Sequence, residues 1–289
     1  MTDFFVAPFV DNEFLRQALT AGVLVALVCS VVGTFVVLRG LAFVADALAH
    51  GVLPGIAGAL LLGLPALLGA AIGTTVMMGG VAVVTRRSRL SGDTAIGLLF
   101  AGMLALGVMI TSRSGSFSGD LTRILFGEVL GVGLSELAWQ AGAVALVGVT
   151  AWVCRRPFLL LCVDPELAQT SGFSVRLYEN VMLAMVAVAV ITSFQSVGTL
   201  LVFGMLVAPA ATGALVARRV ASMMLVAAAC GSVSTYAGLL VSYHAGLAAS
   251  ASIVAVAVGI FVLVFAAVEL RRSQPVVRAG AGSDHGHAH

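Results

Sequence analysis

The chain has 289 residues, is 60% hydrophobic and only 10% charged, and carries a net charge of +2. No soluble domain of this length needs so much apolar surface, and the apolar runs leave no room for one beside them. All 15 basic residues are arginine, so the chain cannot carry a standard P-loop, whose lysine grips nucleotide phosphates.

The N-terminus, MTDFFVAPFVDNEF, has Asp3, Asp11 and Glu13 where a cleavable signal would have a basic region, so the first span is expected to act as its own insertion signal. That span is Phe14–Leu38. Next comes Leu41–Gly63, apolar enough for lipid yet holding Asp46 and His50 in its middle. A charged carboxylate at that depth costs roughly 2.5–3.5 kcal/mol on insertion scales, so such groups usually face a partner or a wet path. On a helix the two are i and i+4 neighbours on one face. Pro54 predicts a helix break one turn on, and Gly51, Gly55 and Gly58 allow close backbone approach. Carboxylate and imidazole on one turn suit the passage of a divalent metal ion. They also suit polar glue, bonding each other or a neighbouring helix.

Further spans are expected at Ala66–Thr85 and Thr94–Thr111, around the basic cluster Arg86-Arg87-Ser88-Arg89. The polar interval 112–133 carries Asp120 and Glu128 and predicts a short helix at the outer face. Leu134–Cys154 returns to Arg155-Arg156-Pro157. Glu179–Ser193 crosses out, Val197–Ala217 crosses back to Arg218-Arg219, Val220–Tyr243 goes out, and Ser250–Leu270 comes in to Arg271-Arg272. The positive-inside rule then places the N-terminus outside and the C-terminus in the cytoplasm. Arg113 and Arg123 run against it. The expected fold is an all-α bundle of about nine transmembrane helices over residues 1–272, with eight as the alternative because Glu179–Ser193 is barely long enough. The His-containing tail, residues 273–289, is expected to be a disordered cytoplasmic segment. Cys29, Cys154, Cys162 and Cys230 form no CxxC pair and read as small buried hydrophobes.

Between Arg156 and the next span lies VDPELAQTSGF, which spells a short capped helix. Asp164 is a good N-cap, Pro165 fits the first helical position, Glu166 favours the positive end, and Gly172 suits the residue past the C-cap. A short polar helix at the cytoplasmic face is the shape that enters a cleft on an ATPase subunit; a capped loop helix without a partner reads the same way.

With these motifs the sequence resembles the permease subunit of ATP-binding-cassette importers for zinc and manganese. ADALAHGVLPG resembles that family's Asp/His segment, DLTRILFGEVL its outer-face motif, and VDPELAQTSGF its coupling helix, with Asp164, Pro165, Glu166, Ala168 and Gly172 in place. VGTLLVFGMLVAPAATG resembles a signature span, with Gly198, Thr199, Pro209 and Ala210-Ala211. The family often ends the segment before the last span in Pro-Ser-Gly; here it reads Ala248-Ala249-Ser250. The resemblance implies a non-enzymatic subunit in the bacterial plasma membrane, homodimeric, with cytoplasmic ATPase subunits and an extracytoplasmic metal-binding protein as partners. No nucleic-acid partner and no bound cofactor are expected. Mn²⁺ or Zn²⁺ would be the transported substrate, meeting Asp46 and His50 in the pore, and ATP would be used by the partner subunit.

Other polar groups rank lower. His244 reads as an interfacial hydrogen-bonding residue. Ser196 and Thr199 either face the pore or satisfy freed carbonyls, and Asp120 and Glu128 are either delivery-protein contacts or solvated loop acids. The tail His285, His287 and His289 is either a weak metal buffer or idle. The rival functions are a secondary metal transporter or channel, which needs no capped cytoplasmic helix, and the permease of an iron-chelate importer, which needs a wide pore largely free of ligands.

Overall fold

The computed structural model describes residues 8–10, 12–87, 92–112 and 131–272, and no strand occurs among them. The helices are α1 (Glu13–Leu38), α2 (Ala42–Leu61), α3 (Ala66–Arg87), α4 (Gly92–Thr111), α5 (Leu134–Val153), α6 (Arg155–Val163), α7 (Pro165–Thr170), α8 (Val175–Val216), α9 (Val220–Ala245) and α10 (Ala249–Arg272). Among the described residues, eight segments are long and apolar enough to cross a bilayer, and Leu201–Val216 is a shorter apolar ninth. The protein is an all-α polytopic bundle.

The doubtful pair of spans near residue 195 is a single element, α8, broken at Gly198 (φ 74°, ψ 164°), a backbone region open essentially to glycine alone. Its neighbours show that the chain turns back there. Glu179, near the start of α8, meets Arg39 just past the C-terminal end of α1. Beyond the break, Val202 lies beside Cys29, and Gly33 packs directly on the Leu206 carbonyl. The second arm therefore descends alongside α1 toward the end from which the first arm rose. Both expected spans are arms of this bent element: Val175–Phe194 is long and apolar enough to cross, and the described apolar stretch beyond the break is Leu201–Val216.

Pro54 does not break α2, which is helical from Ala42 to Leu61. The ring removes one backbone donor, a loss that a helix packed in a membrane bundle tolerates, and α3 and α4 pack closely on this stretch. A side chain on Gly107 of α4 would come 3.1 Å from Leu53 Cβ and 3.2 Å from Pro54 N. On the opposite side α3 approaches backbone to backbone. A Cβ on Gly73 would sit 2.6 Å from the Gly51 carbonyl, and one on Gly55 would overlap Gly69. Without a hydrophobic drive in lipid, such close van der Waals contact is what holds helices together.

The packing sorts the bundle into two halves. Helices α2, α3 and α4 form one; α1, α5, α9 and α10 form the other; α8 packs on both. Between α8 and the α2–α3 pair lies a cavity lined by Val44, Leu48, Met78, Val81, Glu179 and Leu183, among others.

The stretch Arg155–Val163, to which no element was assigned from sequence, is the helix α6. Pro157, Phe158 and Leu161 are its buried face, an apolar spacing that marks a short amphipathic helix.

Candidate metal pathway and coupling face

Asp46 and His50 lie on consecutive turns of α2, with Oδ1 and Nε2 3.6 Å apart and each side chain 22% exposed. That separation is within ion-pair range but too long for a strong hydrogen bond. The other ring nitrogen, Nδ1, is buried and has no hydrogen-bond partner. The Phe100 ring meets the imidazole edge-to-face at 5.3 Å, fixing its plane from α4. Pro54 adds a covalent detail: it has no N–H to return to the His50 carbonyl, four residues earlier. Among the described residues no third His, Cys, Asp or Glu completes a cluster with the pair. One chain thus presents a carboxylate and an imidazole in the first half of a span, closely packed and with one imidazole nitrogen unpartnered.

The predicted caps of α7 are all formed. Asp164 Oδ1 accepts the Glu166 N–H at 2.8 Å, and Pro165 opens the helix. At the far end the Gly172 N–H donates to Gln169 and the Phe173 N–H to Ala168, at 3.0 and 3.1 Å, with Gly172 at φ +83°. That is the paired closure of a Schellman motif, in which a left-handed glycine satisfies the last carbonyls. Ala168 is buried, while Asp164, Pro165, Glu166, Gln169 and Thr170 face out around a Leu167 that is 47% exposed. The five residues singled out in this motif therefore build one element: four shape its ends and Ala168 seats it.

Sequence reasoning missed the seat beneath α7. Phe158 of α6 is fully buried between Phe35 at 5.0 Å and Tyr178 at 6.3 Å, edge-on to both. Arg39 donates to the Leu161 carbonyl at 2.7 Å and to Glu179 Oε1 at 2.6 Å. The available signal was a lone arginine between two apolar spans, followed by Gly40 at φ +66°.

The weaker candidates are placed as follows. His244 Nδ1 lies 2.9 Å from the Leu240 carbonyl oxygen, next to Tyr243, which fits hydrogen bonding at an interface. All four cysteines are free. Met77 is buried against Gly51, a packing role. Asp120, Glu128, the tail histidines and the side chains of Ser196 and Thr199 lie outside the described residues.

Comparison with known proteins places these features in company. The family model described as "ABC 3 transport family" matches residues 11–268. The manganese transport system membrane protein of Halalkalibacterium halodurans is 36% identical over 262 residues, 91% of this chain and 90% of that protein. A probable iron transport system membrane protein of Haemophilus influenzae is 33% identical over 271 residues, 94% and 99% of the two chains. Among solved structures, PsaBC from Streptococcus pneumoniae in complex with Fab matches with a TM-score of 0.83 and 32% identity, covering 92% of this chain and 95% of the other.

Proposed function

This chain belongs to the ABC 3 transport family, and from that premise we propose that it is the membrane subunit of an ATP-driven importer whose cargo is a divalent transition metal ion, manganese first. The observation that carries the cargo reading is the Asp46/His50 pair: a carboxylate and an imidazole in the first half of a span, in ion-pair contact at 3.6 Å, with the other imidazole nitrogen unpartnered. Both donors suit Mn²⁺, and both tolerate Zn²⁺. The relatives named for manganese set the order, and the relative named for iron makes Fe²⁺ worth testing beside them.

Two ligands hold a metal poorly. Two copies of the chain facing each other across a two-fold axis bring four together, and a site shared between moving subunits opens and closes with them. In this reading Asp46 and His50 hold the ion briefly, with water completing its shell, and a change in their spacing releases it. ATP is hydrolysed on separate cytoplasmic subunits that receive α7, and an extracytoplasmic metal-binding protein delivers the ion. The face carrying Arg39, Arg155-Arg156, Arg176, Arg218-Arg219 and the end of α10 is cytoplasmic, as the positive-inside rule requires, which leaves the N-terminus outside.

The test is ATP hydrolysis by the chain reconstituted with its ATPase and delivery protein, comparing Mn²⁺, Zn²⁺ and Fe²⁺, with and without His50→Ala. Stimulation by one ion, lost in the variant, supports class and site together and identifies the cargo. Hydrolysis indifferent to every ion, with uptake following a proton gradient instead, sinks the importer reading and promotes a secondary transporter.

A further inference from the structure

The six-residue helix α7 cannot act on the metal pair directly; whatever pushes it must be passed on through its two flanks. On one side α6 runs straight into it, with Asp164 serving as C-cap of α6 and N-cap of α7. On the other, 171–174 leads into α8. Arg39 grips both flanks. One arm of its guanidinium bonds the Leu161 carbonyl in the last turn of α6, and the other bonds the Glu179 carboxylate in the early turns of α8. Its backbone lies in the joint between α1 and α2, immediately before the helix that carries Asp46 and His50.

From this geometry we propose that Arg39 is a positioning residue that locks both roots of α7 to the α1–α2 joint, so that displacement of α7 moves the helix bearing the metal pair. The proposal rests on the importer reading above. Three features support it. The guanidinium side chain is only 14% exposed, against 38% for its Glu179 partner, so the Arg39 side of these charge-assisted bonds is sheltered from competing water. A planar fork is needed to serve a carbonyl and a carboxylate at once, which a lysine ammonium cannot do with the same rigidity. And the ring stack of Phe35, Phe158 and Tyr178 joins the same three segments, α1, α6 and α8, so the lock has an apolar floor that keeps the elements packed when the guanidinium is removed. Structure and transmission are therefore separable by mutation.

The experiment uses the assembled permease–ATPase complex in proteoliposomes with the delivery protein and Mn²⁺, reading ATP hydrolysed and Mn²⁺ delivered in the same vesicles. The variants are Arg39→Met, Arg39→Lys and Glu179→Gln. The expected result is that the complexes assemble, hydrolysis without metal stays within about twofold of the parent, and Mn²⁺ delivered per ATP falls about tenfold in Arg39→Met and less in the other two. Metal delivered per ATP unchanged in Arg39→Met overturns the proposal. If that variant fails to assemble, a fourth variant, Glu179→Leu, decides, because it removes the acceptor for the guanidinium while leaving the Leu161 bond: an unchanged ratio overturns the proposal, a lowered one supports it. Failure of the importer reading shows separately, in the parent complex, as hydrolysis that Mn²⁺ does not stimulate.

Discussion

At the scale of single residues, the chain spends its few intramembrane charges sparingly. Asp46 and His50 meet at 3.6 Å on a helix against which Phe100, Gly107 and α3 pack closely. The buried His50 Nδ1 has no hydrogen-bond partner, which leaves it available as a donor to a metal ion in the reading proposed above. Replacing either residue with alanine removes half of the donors a two-fold site would have. Uptake of radioactive manganese by cells expressing Asp46→Ala or His50→Ala is expected to fall about tenfold or more, with the protein present in the membrane at parental levels. Parental uptake rates in both would return the pair to a structural role.

At the scale of elements, two contacts decide most. The α2–α3 contact is made at Gly51, Gly55, Gly69 and Gly73, where the backbones themselves touch. Gly55→Val forces that seam apart and is expected to cost about 1–3 kcal/mol, the usual range for overpacking. Thermal unfolding of the detergent-solubilised protein should fall accordingly, and a melting temperature equal to the parent's would show the seam to be looser than described. The second contact is the exposed face of α7. Leu167 is the apolar residue on that face, and apolar anchors ringed by polar residues are where association energy concentrates. Leu167→Asp leaves the caps intact, so the chain should fold and insert as before yet lose co-purification with its ATPase. Retained co-purification would place the anchor elsewhere.

At the scale of the whole molecule, α8 is the element on which both halves of the bundle depend, because among the described helices it packs broadly on α1 and also on α2 and α3. Its reversal at Gly198 sets the sidedness of everything after it: with the turn, α9 starts from the face that holds Arg39 and Arg155. Sidedness is checked with an impermeant maleimide on single cysteines, in a chain whose native cysteines are replaced. A cysteine at Leu247 should label from outside intact cells and one at Arg155 only after permeabilisation. Labelling of both from one side would contradict the reversal and the assigned orientation together.

Most of this was legible in the chain order of residues. Apolar runs broken by arginines determined the class and nearly all the spans, because lipid forces backbone hydrogen bonds to be satisfied inside each helix. Asp164, Pro165 and Gly172 determined α7 for a similarly local reason: each cap is completed within a few residues of itself. Asp46 and His50 stood out because a charge in lipid is costly wherever the chain then goes. What only the tertiary structure decided involves partners far apart in sequence. Pro54 was expected to break α2, but the helix runs on through it, packed closely against glycines of α3 and α4. The backbone freedom of Gly198 was visible, but the direction in which the chain leaves it is set by packing against Cys29 and Gly33. Arg39 looked like one more basic residue at a membrane face, and its meeting with Leu161 and Glu179 exists only once α1, α6 and α8 have converged.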